Sequence, residues 1–115
     1  MRFRSKGSTF FDAVVEELKD KDVENRLLAL GILKGLGPES QKAAPQAISL
    51  LDDSDMRVRN SAISSLGAMK STSPEIMQAL EKALKDKDHR TRIAAVNALR
   101  LLGESAPDQI TTVLK

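Results

Sequence analysis

The stretch DSDMRVR at 53–59 has two counterparts in the chain, DKDVENR at 20–26 and DKDHRTR at 86–92, and their second aspartates stand 33 residues apart. Two carboxylates one residue apart can form half of a metal site, and the third copy adds a histidine, His89. The alternative is a joint between two helices. Self-similarity at a period of this size marks stacked supersecondary units, each too small to bury its apolar face alone.

Aligning on Asp22, Asp55 and Asp88 brings much more into register. Leu18, Leu51 and Leu84 precede the aspartate by four residues, and Val14, Ala47 and Leu80 by eight. After it come Arg26, Arg59 and Arg92 at position 4, Ala29, Ala62 and Ala95 at position 7, and Leu30, Ile63 and Val96 at position 8. Leu33, Leu66 and Leu99 follow at position 11, and Leu36, Met69 and Leu102 at position 14. Positions 7, 8, 11 and 14 lie on one face of a helix at 100° per residue. Each unit therefore reads as helix, Asp-x-Asp turn, longer helix.

Local punctuation agrees. Thr9 before Phe10-Phe11-Asp12 resembles a capping box, Ser73-Pro74-Glu75 sets a cap before a proline in the first turn, and Ala106-Pro107-Asp108 repeats the Pro-acid pair. Gly37 and Gly103 stand where the second helices of their units should close. Pro45 either starts the helix of the middle unit or kinks it. The spacing predicts seven helices, at 9–19, 22–35, 40–51, 55–70, 74–85, 88–102 and 106–115, and no strand. The organisation is a flexible basic segment over 1–8 and one repeat domain over 9–115, with units at 9–37, 38–70 and 71–103 and a half unit at 104–115.

Composition narrows the class. The 115 residues are 41% hydrophobic, with three Phe and no Trp or Tyr, so Ala, Leu, Ile and Val must do the packing. The absence of cysteine rules out a disulfide framework, a thiol nucleophile and a Cys-based zinc site. The start MRFRSKGSTFF is basic without the apolar stretch of a signal peptide, and the apolar run LLALGIL at 27–33 is too short to cross a bilayer. A cytoplasmic protein without membrane contact is expected. With 18 basic against 16 acidic residues, net charge +2, the balance does not argue for nucleic acid by itself.

The phrase D-x-x-[V/T/N]-R-x-x-A-[L/I/V]-x-x-L resembles the second helix of HEAT repeats, particularly the short form of phycobilisome-lyase-like repeat proteins. DMRVRNSAISSLG at 55–67 is the closest copy, while Asn25 and Thr91 replace Val58 in the other two. The resemblance implies an all-α fold, an α-solenoid: a right-handed superhelix of stacked helical hairpins with about 3.5 repeats and seven helices. It also implies that Asp22, Asp55, Asp88, Arg26, Arg59 and Arg92 ladder between neighbouring units. Ankyrin shares the period but needs a T-P-L-H-type turn, and tetratricopeptide repeats need large aromatics at set positions. Both features are missing.

The joint is the better reading of Asp-x-Asp. The second Asp stands at a helix start, where its carboxylate can accept from first-turn amides, a contribution of about 1 kcal/mol per cap. The Arg four residues on has the spacing of an i,i+4 contact. A calcium loop needs more oxygens, a glycine at the bend and a terminal Glu. Lys21, Lys87 and Arg57 also bring the wrong charge. His89 has no second His or Cys near it in sequence, so it reads as an exposed first-turn residue. Neither a catalytic residue, a metal site nor a cofactor is expected.

Positions 2, 5, 9 and 12 point away from the core, and the resemblance places these helices on the concave side of the stack. The rows are Glu24, Arg57, Arg90; Leu27, Asn60, Ile93; and Gly31, Ser64, Asn97, flanked by Lys34 and Arg100. The candidate partner-binding set is Lys34, Leu27, Arg57, Asn60, Ser64, Arg90, Ile93, Asn97 and Arg100, with Leu28 and Leu101 as further exposed apolar positions. The alternative has Leu27 and Leu28 under the N-terminal segment and the arginines merely solvated. A non-enzymatic protein-interaction scaffold is the favoured function. Nucleic-acid binding, by analogy with HEAT-like alkyl-base DNA glycosylases, stands second, since nothing here can stack on a base. A role in bilin attachment is implied by fold analogy alone. A fourth unit starting at 105–107 without its second helix gives the expectation of a longer stack or of self-association through the C-terminal end.

Overall fold

Residues 10–105 are described by the computed structural model, and among them the backbone forms six α-helices and no strand. They are α1 (Phe10–Glu17), α2 (Val23–Leu36), α3 (Ala44–Ser49), α4 (Met56–Ala68), α5 (Pro74–Ala83) and α6 (His89–Ser105). The helix expected over 106–115, the Thr9 cap and the Pro107 start lie outside the described residues. Each odd-numbered helix packs on the even-numbered one that follows it, and α4 lies between α2 and α6. The long helices form one layer and the short ones the other. This is a solenoid-like stack of hairpins.

The repeat alignment explains the core. Ala29, Ala62 and Ala95 are fully buried, as are Leu33, Leu66 and Leu99. A methyl group at position 7 lets neighbouring helices approach closely, and Leu at position 11 fills the space between layers. Position 8 departs from expectation. Leu30 and Ile63 are 0% exposed, but Val96 is 47% exposed, because α6 packs on α4 and α5 and carries its position 8 on the opposite side.

Asp22 and Asp55 cap α2 and α4, and Ser73 Oγ accepts from the Ile76 amide at the start of α5, where Pro74 has no N–H that needs an acceptor. Gly37 closes α2 at φ 61°, with its N–H on the Leu33 and Lys34 carbonyls. Lys70 stands at the corresponding place after α4 and takes the same left-handed backbone, φ 55°, despite its side chain. Gly103 does not close α6, which continues to Ser105. The helix expected over 40–51 shrinks to α3, flanked by 3-10 turns at Gly37–Ala43 and Leu50–Asp52. Pro45 supplies no N–H to extend the helix backwards. Ser40 instead holds the first of these turns, its buried hydroxyl 2.7 Å from the Gly37 carbonyl and 3.1 Å from that of Leu33.

Gly37 and Lys70 invite a comparison of caps. A left-handed backbone costs a side-chain-bearing residue about 1–2 kcal/mol, partly offset by the greater freedom glycine has when unfolded. Lys70→Gly is therefore expected to stabilise the protein by about 0.5–1 kcal/mol in urea denaturation. A loss of stability would contradict this account of the α4 terminus.

Candidate partner-binding face

The three Asp-x-Asp turns are built alike. In each, the first carboxylate accepts from the backbone N–H of the second Asp, at 2.8, 2.9 and 2.9 Å. The second carboxylate accepts from the N–H two residues on, Glu24, Arg57 or Arg90, at 2.9, 2.8 and 2.9 Å. The Arg at position 4 then reaches back to its own turn: Arg26, Arg59 and Arg92 donate to the carbonyls of Asp20, Asp53 and Asp86 at 2.8, 3.0 and 2.7 Å. Each carboxylate thus has a backbone donor within its own turn. Among the described residues no three His, Cys, Asp or Glu side chains gather as metal ligands would.

The ladder between units exists but uses different aspartates from those expected. Arg26 Nε lies 3.1 Å from Asp53 Oδ2, and Arg59 Nε lies 3.6 Å from Asp86 Oδ2. Asp55 and Asp88 take no part in these inter-unit pairs, and Arg26 and Arg59 meet the capping Asp four residues before them only through the backbone, their N–H groups donating to the Asp22 and Asp55 carbonyls at 3.2 and 3.1 Å. The cap turns its carboxylate toward its own helix, which leaves the first Asp of the pair to face the preceding unit. These side chains are 10–18% exposed, so the pairs are largely withdrawn from water.

Seven of the nine candidate residues come together in one trough along α2, α4 and α6. A depression of about 170 Å³ is lined by Lys34, Asn60 and Ser64, and one of about 380 Å³ by Lys34, Ser64, Arg90, Ile93, Asn97 and Arg100. Lys34 and Ser64 line both, so the two depressions are neighbours along the same face. Position 12 of α4 is Gly67, buried because a Cβ there would sit 3.0 Å from Ala98 Cα and Cβ. That close approach narrows the gap between α4 and α6 and leaves the cations to Lys34 and Arg100 at either side.

Arg57 and Leu27 fall outside the trough. Arg57 is held by Glu24 at 3.2 Å and Asp55 at 3.1 Å, and Leu27 is half-buried against the core. Leu28 and Ile93 are exposed as expected, whereas Leu101 is half-buried on the trough wall. Arg90 pairs with Asp88 and Arg100 with Glu104, while the Lys34 ammonium forms no ion pair among the described residues. His89 is exposed in the first turn of α6.

Sequence reasoning missed a groove on the other layer. Between α3 and α5, Ala44, Pro45, Ile48 and Ala79 floor a space of about 690 Å³ edged by Lys82 and Glu75. Its signal was Pro45, which stands in the first turn of the short α3 and lines the groove. No helix among the described residues is long and apolar enough to cross a membrane.

Comparison with protein families matches HEAT repeats over residues 11–100. The chain belongs to the HEAT-repeat family. Among solved structures it is similar to a chain in the complex of CpcE and CpcF of phycocyanin lyase from Nostoc sp. PCC7120, with a TM-score of 0.74 at 20% identity. The likeness covers 93% of this chain but 44% of that one, so this HEAT-repeat chain spans less than half of its neighbour's length. No curated protein sequence matches it closely.

The joints of these HEAT repeats carry a pH dependence. The Arg57 guanidinium, then the Arg57 amide, hold the Asp55 carboxyl below its ordinary value of 3.8, and the Arg90 amide, followed by its side chain, lowers Asp88 likewise. A lowered folded-state pKa gives stability that is present above the ordinary value and is lost as pH falls through the lowered one. Asp55→Asn keeps a capping oxygen and removes the charge. It should be less stable than the parent at neutral pH, with the gap closing in urea melts as the pH falls below the ordinary value of 3.8. A gap that widens in acid would contradict the assignment.

Proposed function

We propose that the protein is a non-enzymatic interaction scaffold, a right-handed superhelical HEAT-repeat stack that receives a protein partner in the trough of α2, α4 and α6. The observation that carries this reading is the convergence of Lys34, Ser64, Arg90, Ile93, Asn97 and Arg100, from three helices, around one hollow. Exposed Ile93 supplies an apolar anchor, the amides of Asn60 and Asn97 can satisfy a partner's backbone, and Lys34 offers an unneutralised charge. The family supports the same reading, since stacked repeats present extended surfaces rather than closed active sites. So does the assembly of two subunits in the phycocyanin lyase complex. A part in bilin attachment would rest on the likeness of fold, which at 20% identity carries no residue over to this chain.

Charge reversal on either side of the trough tests the reading. With the purified chain as bait, Lys34→Glu/Arg100→Glu is expected to reduce capture of its protein partner at least tenfold. Lys82→Glu, on the opposite groove, should leave capture unchanged. Equal capture by both variants would remove the trough from the interface, and salt-sensitive retention of DNA in place of protein would favour nucleic acid.

A further inference from the structure

Charge is distributed unevenly between the two faces of the stack. The groove between α3 and α5 has both signs on its edges, Glu75 against Lys82, and the neighbouring hollow sets Asp52 and Asp86 against Lys82 and Lys85. The trough of α2, α4 and α6 is different. Among the described residues that line it stand three cations, Lys34, Arg90 and Arg100, and no carboxylate. Ala68, Ala94 and Leu101, all half-buried, give the same hollow an apolar lining.

These cations are open to a partner. Lys34 is exposed and makes no ion pair among the described residues. The Arg90 and Arg100 side chains, 63% and 60% exposed, meet Asp88 at 3.5 Å and Glu104 at 3.2 Å. Exposed pairs of this kind contribute little, so an incoming carboxylate can take the place of either acid. The rest of the sequence holds no surplus of acid to neutralise the trough. Residues 1–9 contain Arg2, Arg4 and Lys6 without Asp or Glu, and residues 106–115 contain Asp108 against Lys115. The complementary charge therefore has to come from outside these 115 residues.

We propose that the partner protein offers the trough an extended acidic segment, two carboxylates flanking an aliphatic side chain; this rests on the trough being the interface. Lys34 and Arg100 stand at the same position, 12, of α2 and α6, and the residue at that position of α4 is Gly67, buried against Ala98. Glycine has no side chain to rise between the two cations, whose backbones two helix spacings set roughly 16–20 Å apart. An extended chain covers that span in about five or six residues. One carboxylate then meets Lys34, the other meets Arg100, and the side chain between them lies against Ala68 and Leu101. Nucleic acid has the charge but no aliphatic side chain to seat there.

The test pans a phage-displayed library of random peptides against the full chain and measures the enriched peptides by fluorescence anisotropy. Enriched sequences should share paired Asp or Glu residues around an aliphatic one. Replacing those carboxylates by the matching amides should weaken binding at least tenfold. Lys34→Glu/Arg100→Glu, at exposed positions, should weaken it as much, and Lys82→Glu should leave it unchanged. Asn97→Trp fills the hollow from another exposed position and separates the two readings. Neutral or basic peptides whose binding is lost on Asn97→Trp would overturn the acidic segment and leave the trough as the interface. Peptides that bind all these variants equally would remove the trough itself. An absence of enrichment, or single-stranded DNA binding more tightly than the acidic peptides, would also overturn the proposal.

Discussion

The structure depends on the closure of the Asp-x-Asp joint by the arginine at position 4. One turn must satisfy the free amides at the start of a long helix, reverse the chain, and fix the distance to the next unit. The first carboxylate bonds the second Asp's amide, the second carboxylate caps the helix, and the arginine ties off the turn's own carbonyl. With its remaining face the same guanidinium holds the first Asp of the following joint. Local order and stacking are therefore served by a single side chain. Its near-burial makes the arrangement intolerant of losing one partner, since an unpaired charge would be left out of water.

That constraint shapes the surface where a partner can bind. Successive joints hold α2, α4 and α6 side by side, so equivalent positions fall in lateral rows and a trough follows from the repeat itself. Differences between units then decide its character. Gly67 permits close contact with Ala98, and Glu24 neutralises Arg57 at one rim while Lys34 stays open at the other. The trough is polar and cationic on one side and apolar at Ile93, and no aromatic side chain is among the described residues that line it, a lining that suits a protein surface better than a nucleic acid.

Much of this was legible because a repeat repeats its errors as well as its signals: three copies in register separate the buried alanine row from the rows of half-buried Asn60 and Ser64 and exposed Asn97. What periodicity could not show was geometry within the turn. Asp53 and Asp55 are alike in sequence, and only the direction each carboxylate takes tells ladder from cap. Nor does spacing alone tell Arg57, held by Glu24 and Asp55 outside the trough, from Arg90, which lines it. Gly103 looked like a helix stop by analogy with Gly37, yet glycine permits a left-handed turn without imposing one, and α6 runs through it. Val96 matched Leu30 and Ile63 by position, but burial at position 8 depends on a neighbour on the next-unit side, which a single sequence position cannot reveal.

A double-mutant cycle between Arg26 and Asp53, set against one between Arg26 and Asp22, tests the central role of the ladder. Asp22 has the i,i+4 spacing, whereas Asp53 lies in the next unit and holds the guanidinium. Urea denaturation of the single and double variants should give a coupling of about 1–3 kcal/mol for Arg26 with Asp53 and close to zero for Arg26 with Asp22. Coupling concentrated in the Asp22 pair, or absent from both, would contradict an inter-unit ladder closed by the first aspartate.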